Sequence, residues 1–368
     1  MEVMEKARDQ VITAQTVLIP FGLSCNPMRK LAIINFEKHP EEVYKGLELQ
    51  NFNDAVYGNG YRVIAYRLDG YVDVYDDLKL NDIDSETFEV AGKGLCERKR
   101  VDMENVLFEV EEGCATIAFS FTDKFGRRIA ASIQEYAAKE SRAMNLLAPI
   151  GASTENPSYL PLFFLHEFDF IRKWKTDVKL TIDGKKIKQD NFPVRAAVKD
   201  FQRRYYSRYT PDCQIIEFAR AGTGVIEECI PDASGQVISG ALKYKYRKGV
   251  LHNIKLKHPS HSLSLKFGLG FPDIRNIDHG PTYRDTFKIV ADDTMGYVSG
   301  EYSIKREGDS AKIELIPSGG WTPVPNSFLT NILLGEKSIF CSWPRTYKYT
   351  QQIDLLTLES VSRWERTP

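Results

Sequence analysis

The chain has 368 residues, which is enough for two domains or for one large β assembly. Its net charge of −1 offers no general electrostatic argument for binding nucleic acid or acidic membranes, and its hydrophobic content of 42% is ordinary for a globular protein. The six cysteines are widely spaced, which excludes a CxxC metal or redox motif and indicates a reducing compartment.

The first ten residues, MEVMEKARDQ, favour a helix and lack the apolar stretch of a signal peptide. No apolar run is long enough to span a bilayer. We therefore expect a cytoplasmic protein with no membrane span. Residues 2–13 form the first predicted helix, residues 39–49 the second and residues 198–206 the third.

A hairpin is predicted over residues 61–77, because Asp69-Gly70 is flanked by alternating apolar and polar residues. A two-residue turn there predicts the cross-strand pairs Tyr66 with Asp73, Ile64 with Tyr75, and Arg62 with Asp77. One face would then carry the four polar side chains Tyr66, Tyr71, Asp73 and Tyr75. Such a face suits the lining of a ligand cavity, and the alternative is an exposed face with cross-strand pairs.

Four further hairpins follow along the chain. Their predicted strands are 114–121 with 128–136, 178–182 with 185–189, 240–246 with 250–257, and 300–305 with 310–316. Dense turn signals between short β-rich runs favour antiparallel meanders or barrels over a parallel α/β sheet. We predict two antiparallel β domains, residues 1–195 and 196–368, because residues 191–212 interrupt the hairpin rhythm.

Several groups of residues suggest chemistry without fixing it. His279 lies in a Gly/Pro-interrupted loop beside acids and an arginine, where it could act as a general acid–base. Trp321 in the segment 318–325 could stack on a ligand, or close the end of a barrel. Glu167 and Asp169 are two apart in a predicted strand, as in a carboxylate pair for glycosidic chemistry, or simply on a half-exposed strand.

Other motifs are weak. His258 and His261 have an HxxH spacing but no nearby third ligand, so we expect no metal site and no cofactor. The pair Gly222 and Gly224 lacks the third glycine of a dinucleotide fingerprint. The basic and aromatic stretch 203–209 is interpreted as solvated or facing a domain, so no nucleic-acid partner is expected. The acid-free strands at 243–266 are expected to face the acidic region 69–112 across a domain interface.

Chain length, two β-rich halves and long tyrosine-bearing strands resemble the two-domain lipocalin-like proteins related to carotenoid 1,2-hydratases. The lipocalin Gly-x-Trp signature belongs near the start of a barrel, whereas the triplet of that type in this sequence, Gly319-Gly320-Trp321, departs from the pattern by lying near the C-terminus. The resemblance implies an apolar or amphipathic cavity within one half or between the halves. It also implies hydratase or cyclase chemistry there, or ligand carriage alone.

The predicted fold is therefore all-β, with two antiparallel lipocalin-like barrels or half-barrels and few short helices, or alternatively a large β-sandwich. The predicted function is binding of a small, partly apolar molecule in a barrel cavity, with acid–base hydratase, isomerase or cyclase activity as an extension. The predicted ligand-binding residues are Tyr66, Tyr71, Asp73, Tyr75, His279 and Trp321. The alternatives are a carbohydrate-active β-sandwich enzyme and a non-catalytic interaction protein.

Overall fold

The structure is a computed structural model that describes residues 16–82, 93–137, 143–149, 157–192, 199–257, 262–291, 294–335 and 344–367. Within these ranges nearly all regular structure is β, with two short α-helices, α1 (Lys199–Arg204) and α2 (Phe328–Leu334). The first sixteen strands are β1 (Val17–Ile19), β2 (Leu23–Met28), β3 (Lys30–Asn35), β4 (Tyr44–Asp54), β5 (Gly58–Arg67), β6 (Val72–Asp77), β7 (Leu95–Val101), β8 (Glu104–Glu111), β9 (Cys114–Thr122), β10 (Arg128–Glu135), β11 (Met144–Pro149), β12 (Leu160–Arg172), β13 (Thr176–Ile182), β14 (Lys185–Lys186), β15 (Tyr205–Thr210) and β16 (Asp212–Phe218).

The second part of the chain continues almost entirely as antiparallel strands. These are β17 (Gly222–Val225), β18 (Glu227–Cys229), β19 (Gln236–Ser239), β20 (Leu242–Arg247), β21 (Val250–Lys257), β22 (Ser262–Phe271), β23 (Thr282–Val290), β24 (Tyr297–Glu307), β25 (Ser310–Thr322), β26 (Tyr347–Asp354) and β27 (Glu359–Arg366).

Four sheets result, and two of them are large. The N-terminal sheet has ten strands in the order β2-β16-β12-β15-β3-β4-β5-β6-β7, with β11 also paired to β12. The C-terminal sheet also has ten strands, ordered β17-β27-β26-β25-β24-β23-β22-β21-β20-β19. A five-stranded sheet has the order β14-β13-β10-β9-β8, and β1 pairs with β18.

Two large hydrophobic cores hold these sheets together in the described ranges, beside a small cluster of Ile64, Val72 and Val74. One lies between the five-stranded sheet and the part of the N-terminal sheet around β4 and β5, where Leu47 and Val63 pack with Phe119 and Ile133. Strand β10 illustrates this packing. Its side chains alternate between buried and more exposed positions, as expected when only one face of a strand meets a core. The other core includes side chains from both ten-stranded sheets. Sheets packed face to face in this way are the arrangement of a β-sandwich.

The prediction of an all-β fold is confirmed, but the prediction of barrels is wrong for the part of the chain that the structure describes. Neither ten-stranded sheet closes there, because β2 and β7 remain the ends of one sheet and β17 and β19 the ends of the other. A long antiparallel meander satisfies the same turn and alternation pattern whether it closes or stays open, so the sequence pattern did not distinguish the two. The alternative prediction of a sandwich is the one that fits.

All five predicted hairpins are present: β5 with β6, β9 with β10, β13 with β14, β20 with β21, and β24 with β25. The register of the first is wrong by one residue, since Arg62 faces Asp76, Val63 faces Tyr75, and Tyr66 faces Val72. The cause is the turn. The amide of Arg67 bonds to the carbonyl of Tyr71, which leaves a three-residue loop with Gly70 at a φ of 90°. A slip of one residue moves each side chain of one strand to the other face relative to its partner.

The predicted helix at 198–206 is confirmed as α1, whereas the one at 39–49 is wrong because most of it lies in strand β4. The predicted helix at 2–13 lies outside the described residues. The predicted boundary between residues 195 and 196 stays a prediction. The strands change from the N-terminal to the C-terminal sheet between Phe218 and Gly222.

Candidate functional site

A groove of about 590 Å³ lies where the chain passes from one ten-stranded sheet to the other. One wall is the segment 19–24, which joins β1 to β2. The opposite wall is the end of the C-terminal sheet, where β17, β27 and β26 contribute side chains. The remaining lining residues lie on either side of β17 in the chain: Glu217, Arg220, Ala221, Ile226 and Glu227.

Aromatic side chains fix the position of this crossing. The ring of Phe21 packs edge-on against Phe218 at a centroid distance of 5.9 Å. The indole of Trp364 donates a hydrogen bond from Nε1 to the carbonyl of Ala219 at 2.8 Å, and its ring lies 5.2 Å from that of Tyr349. Buried aromatic groups with their polar atoms satisfied hold a chain segment rigidly. The groove is therefore bounded by well-packed structure.

Strand β17 makes room for a ligand because two of its four residues are glycines. A side chain added at Gly222 or Gly224 would begin in open space, with no heavy atom within 4 Å of its Cβ. The backbone of Gly222 is held by Ser362, whose Oγ accepts from its amide at 3.1 Å and donates to its carbonyl at 3.2 Å. A glycine in a strand often marks a place where another group approaches the backbone closely.

Glu217 and Arg220 provide charge at this groove. The buried carboxylate of Glu217 accepts hydrogen bonds from Ser24 Oγ at 3.1 Å and from Arg220 Nη1 at 2.7 Å. The hydrogen bond to Glu217 raises the pKa of Arg220 above its usual value. Because 59% of the Arg220 side chain is exposed, its remaining donors are accessible to a ligand or to water.

The polar atom that most directly indicates a binding site is the amide oxygen of Gln351. This residue lines the groove, is only 4% exposed, and its Oε1 accepts no hydrogen bond from the residues that the structure describes. A buried polar atom without a partner costs about 1–3 kcal/mol. Burial raises the pKa of the neighbouring Tyr349 hydroxyl to about 12. A ligand that donates a hydrogen bond would satisfy the Gln351 oxygen.

The predicted binding residues lie elsewhere. Asp73 and Tyr75 belong to a buried polar cluster inside the N-terminal half. Asp73 accepts from Arg67 at 3.1 Å, from Lys124 at 2.8 Å and from Tyr44 at 3.1 Å. The hydroxyls of Tyr44 and Tyr75 are 2.6 Å apart, and burial raises the pKa of Tyr75 to about 12. With its oxygens engaged by three partners, Asp73 holds elements together in this arrangement.

Tyr66 is on the opposite face of the sheet from Asp73, as a consequence of the one-residue shift in register. It donates a hydrogen bond to Glu48 at 2.6 Å, where burial raises the pKa of the Glu48 carboxyl. Tyr71 is next to the turn and is 43% exposed. The four side chains of this hairpin therefore do not share one cavity-lining face.

His279 and Trp321 are also not among the residues that line the groove. His279 is in an exposed loop, where its Nε2 accepts a hydrogen bond from the amide of Gly308. Trp321 is 5% exposed and donates to the carbonyl of Leu147 at 2.6 Å, so it is a core residue that connects two parts of the chain. None of the six predicted residues lines the groove.

The predicted carboxylate pair is broken by a bulge in β12. Glu167 has a φ of 51° and an exposed side chain, whereas the half-buried Asp169 accepts from the amide of Phe170 at 2.7 Å. The alternation that would place both carboxylates together is therefore interrupted. His258 and His261 lie outside the described residues. Within those residues no group of three His, Cys, Asp or Glu side chains converges as a metal site would.

Sequence reasoning missed this group because Gln351 is more than 130 residues along the chain from Glu217 and Arg220. The signal that the sequence offers is the pair Gly222 and Gly224, which does not complete a nucleotide motif. It instead opens the space above a strand.

Comparisons with protein families, with curated proteins and with solved structures found no match to this chain. The relationship to carotenoid 1,2-hydratases thus stays a prediction. Among the described residues, no helix is long and apolar enough to cross a membrane.

Proposed function

We propose that this protein binds a small, partly apolar molecule in the groove between its two ten-stranded sheets. The observation that carries the proposal is the buried amide oxygen of Gln351, which lacks a partner among the described residues and lies in a groove with open space above β17. Binding sites combine a mostly apolar lining with a few placed polar groups.

The groove has both kinds of surface. Its apolar contacts would come from four side chains: Ile19, Phe21, Leu23 and Ile226. Its polar contacts would come from Gln351 as an acceptor and from Arg220 as a cationic donor. The favoured ligand thus has an apolar body, a hydroxyl or amide donor, and an acceptor or anionic group.

This proposal keeps the predicted class of ligand and moves its site from the interior of a barrel to a groove. The resemblance to lipocalin-like proteins implied a cavity within one half or between the halves, and a groove at the meeting of two sheets is compatible with the second possibility. The widely spaced cysteines, of which five are free among the described residues, support a cytoplasmic location as part of the same proposal.

The first experiment is native mass spectrometry of the protein purified from cells and re-equilibrated with a lipid and metabolite extract. Organic extraction then identifies any bound molecule. We expect a bound molecule in the wild type and its loss in Gly224→Phe, because the new ring would begin in open space and fill the groove. The matched control is Val361→Phe, which adds the same ring at an exposed position on the outer face of β27.

Retention of the molecule by Gly224→Phe would place it elsewhere and overturn the proposal. An empty wild-type protein after both treatments would also overturn it. Circular dichroism of both variants establishes that they are folded.

A further inference from the structure

The outer face of the C-terminal sheet carries an array of lysines on four neighbouring strands, β20 to β23. The array consists of Lys243, Lys245, Lys255, Lys257, Lys266 and Lys288. Its first five members are exposed, and Lys288 is half-buried over the ring of Tyr297. The residues that alternate with them along these strands, such as Tyr244, Ile254 and Leu265, are buried in the core.

The pairing of the strands shows that these lysines share one face. Lys245 is opposite Asn253, which is opposite Lys266, which in turn is opposite Lys288. Lys243 is opposite Lys255 in the next row. Directly opposed residues of antiparallel strands project from the same face.

The array extends in two dimensions. Neighbouring strands are about 4.8 Å apart, and residues two apart along a strand are about 7 Å apart. Four strands and three rows therefore spread the charges over a patch of roughly 14 by 14 Å. A patch of this shape matches a planar anionic surface better than it matches a single line of charges.

Acidic side chains do not neutralise the array. Strands β20, β21 and β22 contain no Asp or Glu, and Asp285 of β23 accepts a hydrogen bond from the amide of Leu269 at 2.7 Å. Asp232 lies near Lys243, and the exposed Glu301 of β24 projects from the same face as Lys288, so these two acids border the array at its edges. No ion pair joins the six lysines to an acid in the described ranges, so the expected interface with residues 69–112 is not present there.

We propose that this lysine array docks the protein on an anionic phospholipid bilayer. Lysine ammonium groups act as compact point charges that attract anionic headgroups without needing a fixed geometry. The aromatic ring of Tyr297 on this face is half-buried and covered by the Lys288 ammonium at 3.4 Å, so it offers no open platform on which nucleic-acid bases could stack. Ile238, 71% exposed and directly opposite Lys243, supplies an apolar side chain at the edge of the array.

This inference is independent of the ligand groove, which lies at the other end of the same sheet. The chain's overall charge of −1 is compatible with it, since the array is a local concentration of positive charge. The attraction must weaken as salt is added, because the lysines are exposed.

The test is co-sedimentation of the full chain with vesicles made of equal parts phosphatidylcholine and phosphatidylserine, compared with vesicles of phosphatidylcholine alone. We expect binding only to the first kind, with loss at high salt. The triple variant Lys245→Gln, Lys255→Gln, Lys266→Gln should bind about 100-fold more weakly, because each lysine near an anionic surface contributes about fivefold.

The matched control removes three exposed lysines from β13, β14 and the segment that follows β14: Lys179→Gln, Lys186→Gln and Lys188→Gln. It changes the net charge by the same amount and should bind like the wild type. Equal binding by the array variant and the wild type would overturn the proposal, as would no binding of the wild type. Binding to a DNA duplex in the same buffer without binding to vesicles would overturn it in favour of nucleic acid. Thermal unfolding of both variants verifies that the fold is retained.

Discussion

At the scale of single residues, a one-residue difference in a turn decides which charges meet. Because the loop after Arg67 has three residues, Arg62 reaches Asp76 and forms a bidentate ion pair with both of its oxygens. Arg98 also donates to Asp76, at 2.7 Å. Asp77, which the two-residue turn would have paired with Arg62, is equally buried, and its Oδ2 has no partner among the described residues.

Substitutions of these two neighbouring acids are predicted to differ in their effect on stability. Asp76→Asn should lower the free energy of unfolding by about 3 kcal/mol, because it leaves two arginines, one of them buried, without their counter-charge. Asp77→Asn, the control, should change the free energy of unfolding by less than about 1 kcal/mol. Burial already raises the pKa of the Asp77 carboxyl, so removing its charge costs little. Denaturant unfolding of both variants measures the difference. A larger loss of stability for Asp77→Asn than for Asp76→Asn would contradict the three-residue loop and favour the two-residue turn.

The sequence could place this hairpin but could not place its charges. Asp69-Gly70 is a strong turn signal that suits loops of two or three residues, and only tertiary packing of Val63 and Tyr75 on the inner core selects between them. The groove was harder to predict, because Glu217 and Gln351 come from different sheets. No local pattern brings them together.

At the scale of elements, close backbone approaches determine where glycine is required. Strands β24 and β25 contain an irregularity between Ser299 and Glu301, and Gly300 lies at it. A Cβ there would be 2.1 Å from the carbonyl oxygen of Ile316 and 2.6 Å from Pro317. Both contacts are with backbone atoms, which cannot rotate away.

Gly300→Ala should therefore lower the free energy of unfolding by about 1–3 kcal/mol through overpacking. Gly224→Ala is the control, since its added carbon meets nothing within 4 Å, and it should leave stability unchanged or increase it by up to about 1 kcal/mol. Thermal unfolding compares the two. Similar losses in both variants would contradict the assigned close approach at β24.

At the scale of the whole molecule, the two ten-stranded sheets share a core, so their stabilities are coupled. Leu147 of the N-terminal sheet donates its amide at 2.7 Å to the carbonyl of Met295, between β23 and β24 of the C-terminal sheet. Tyr246 of the C-terminal sheet donates from its hydroxyl at 3.0 Å to the carbonyl of Leu18 in β1, whose side chain lies in the shared core. The sequence indicated two β-rich halves from their hairpins. It contained no pattern that would show how extensively the halves are packed together.

We expect heat to unfold the protein in a single transition, with tryptophan fluorescence and far-ultraviolet circular dichroism changing together. Tyr246→Phe should shift both signals to lower temperature by the same amount, because it removes one buried hydrogen bond worth about 1 kcal/mol. Tyr136→Phe is the control, because that hydroxyl bonds to Asp177 on the surface. Two separate transitions would show that the halves unfold independently.

Sheets that remain open have edges, and an edge strand can recruit a strand from another chain. Here the edges are poor templates for such recruitment. Strands β17 and β19 have four residues each and β14 has two, while β2 includes Pro27, which has no amide hydrogen to donate. The edge strand β7 carries the charged run Glu97-Arg98-Lys99-Arg100. Short, proline-bearing or charged edges of this kind disfavour edge-to-edge aggregation.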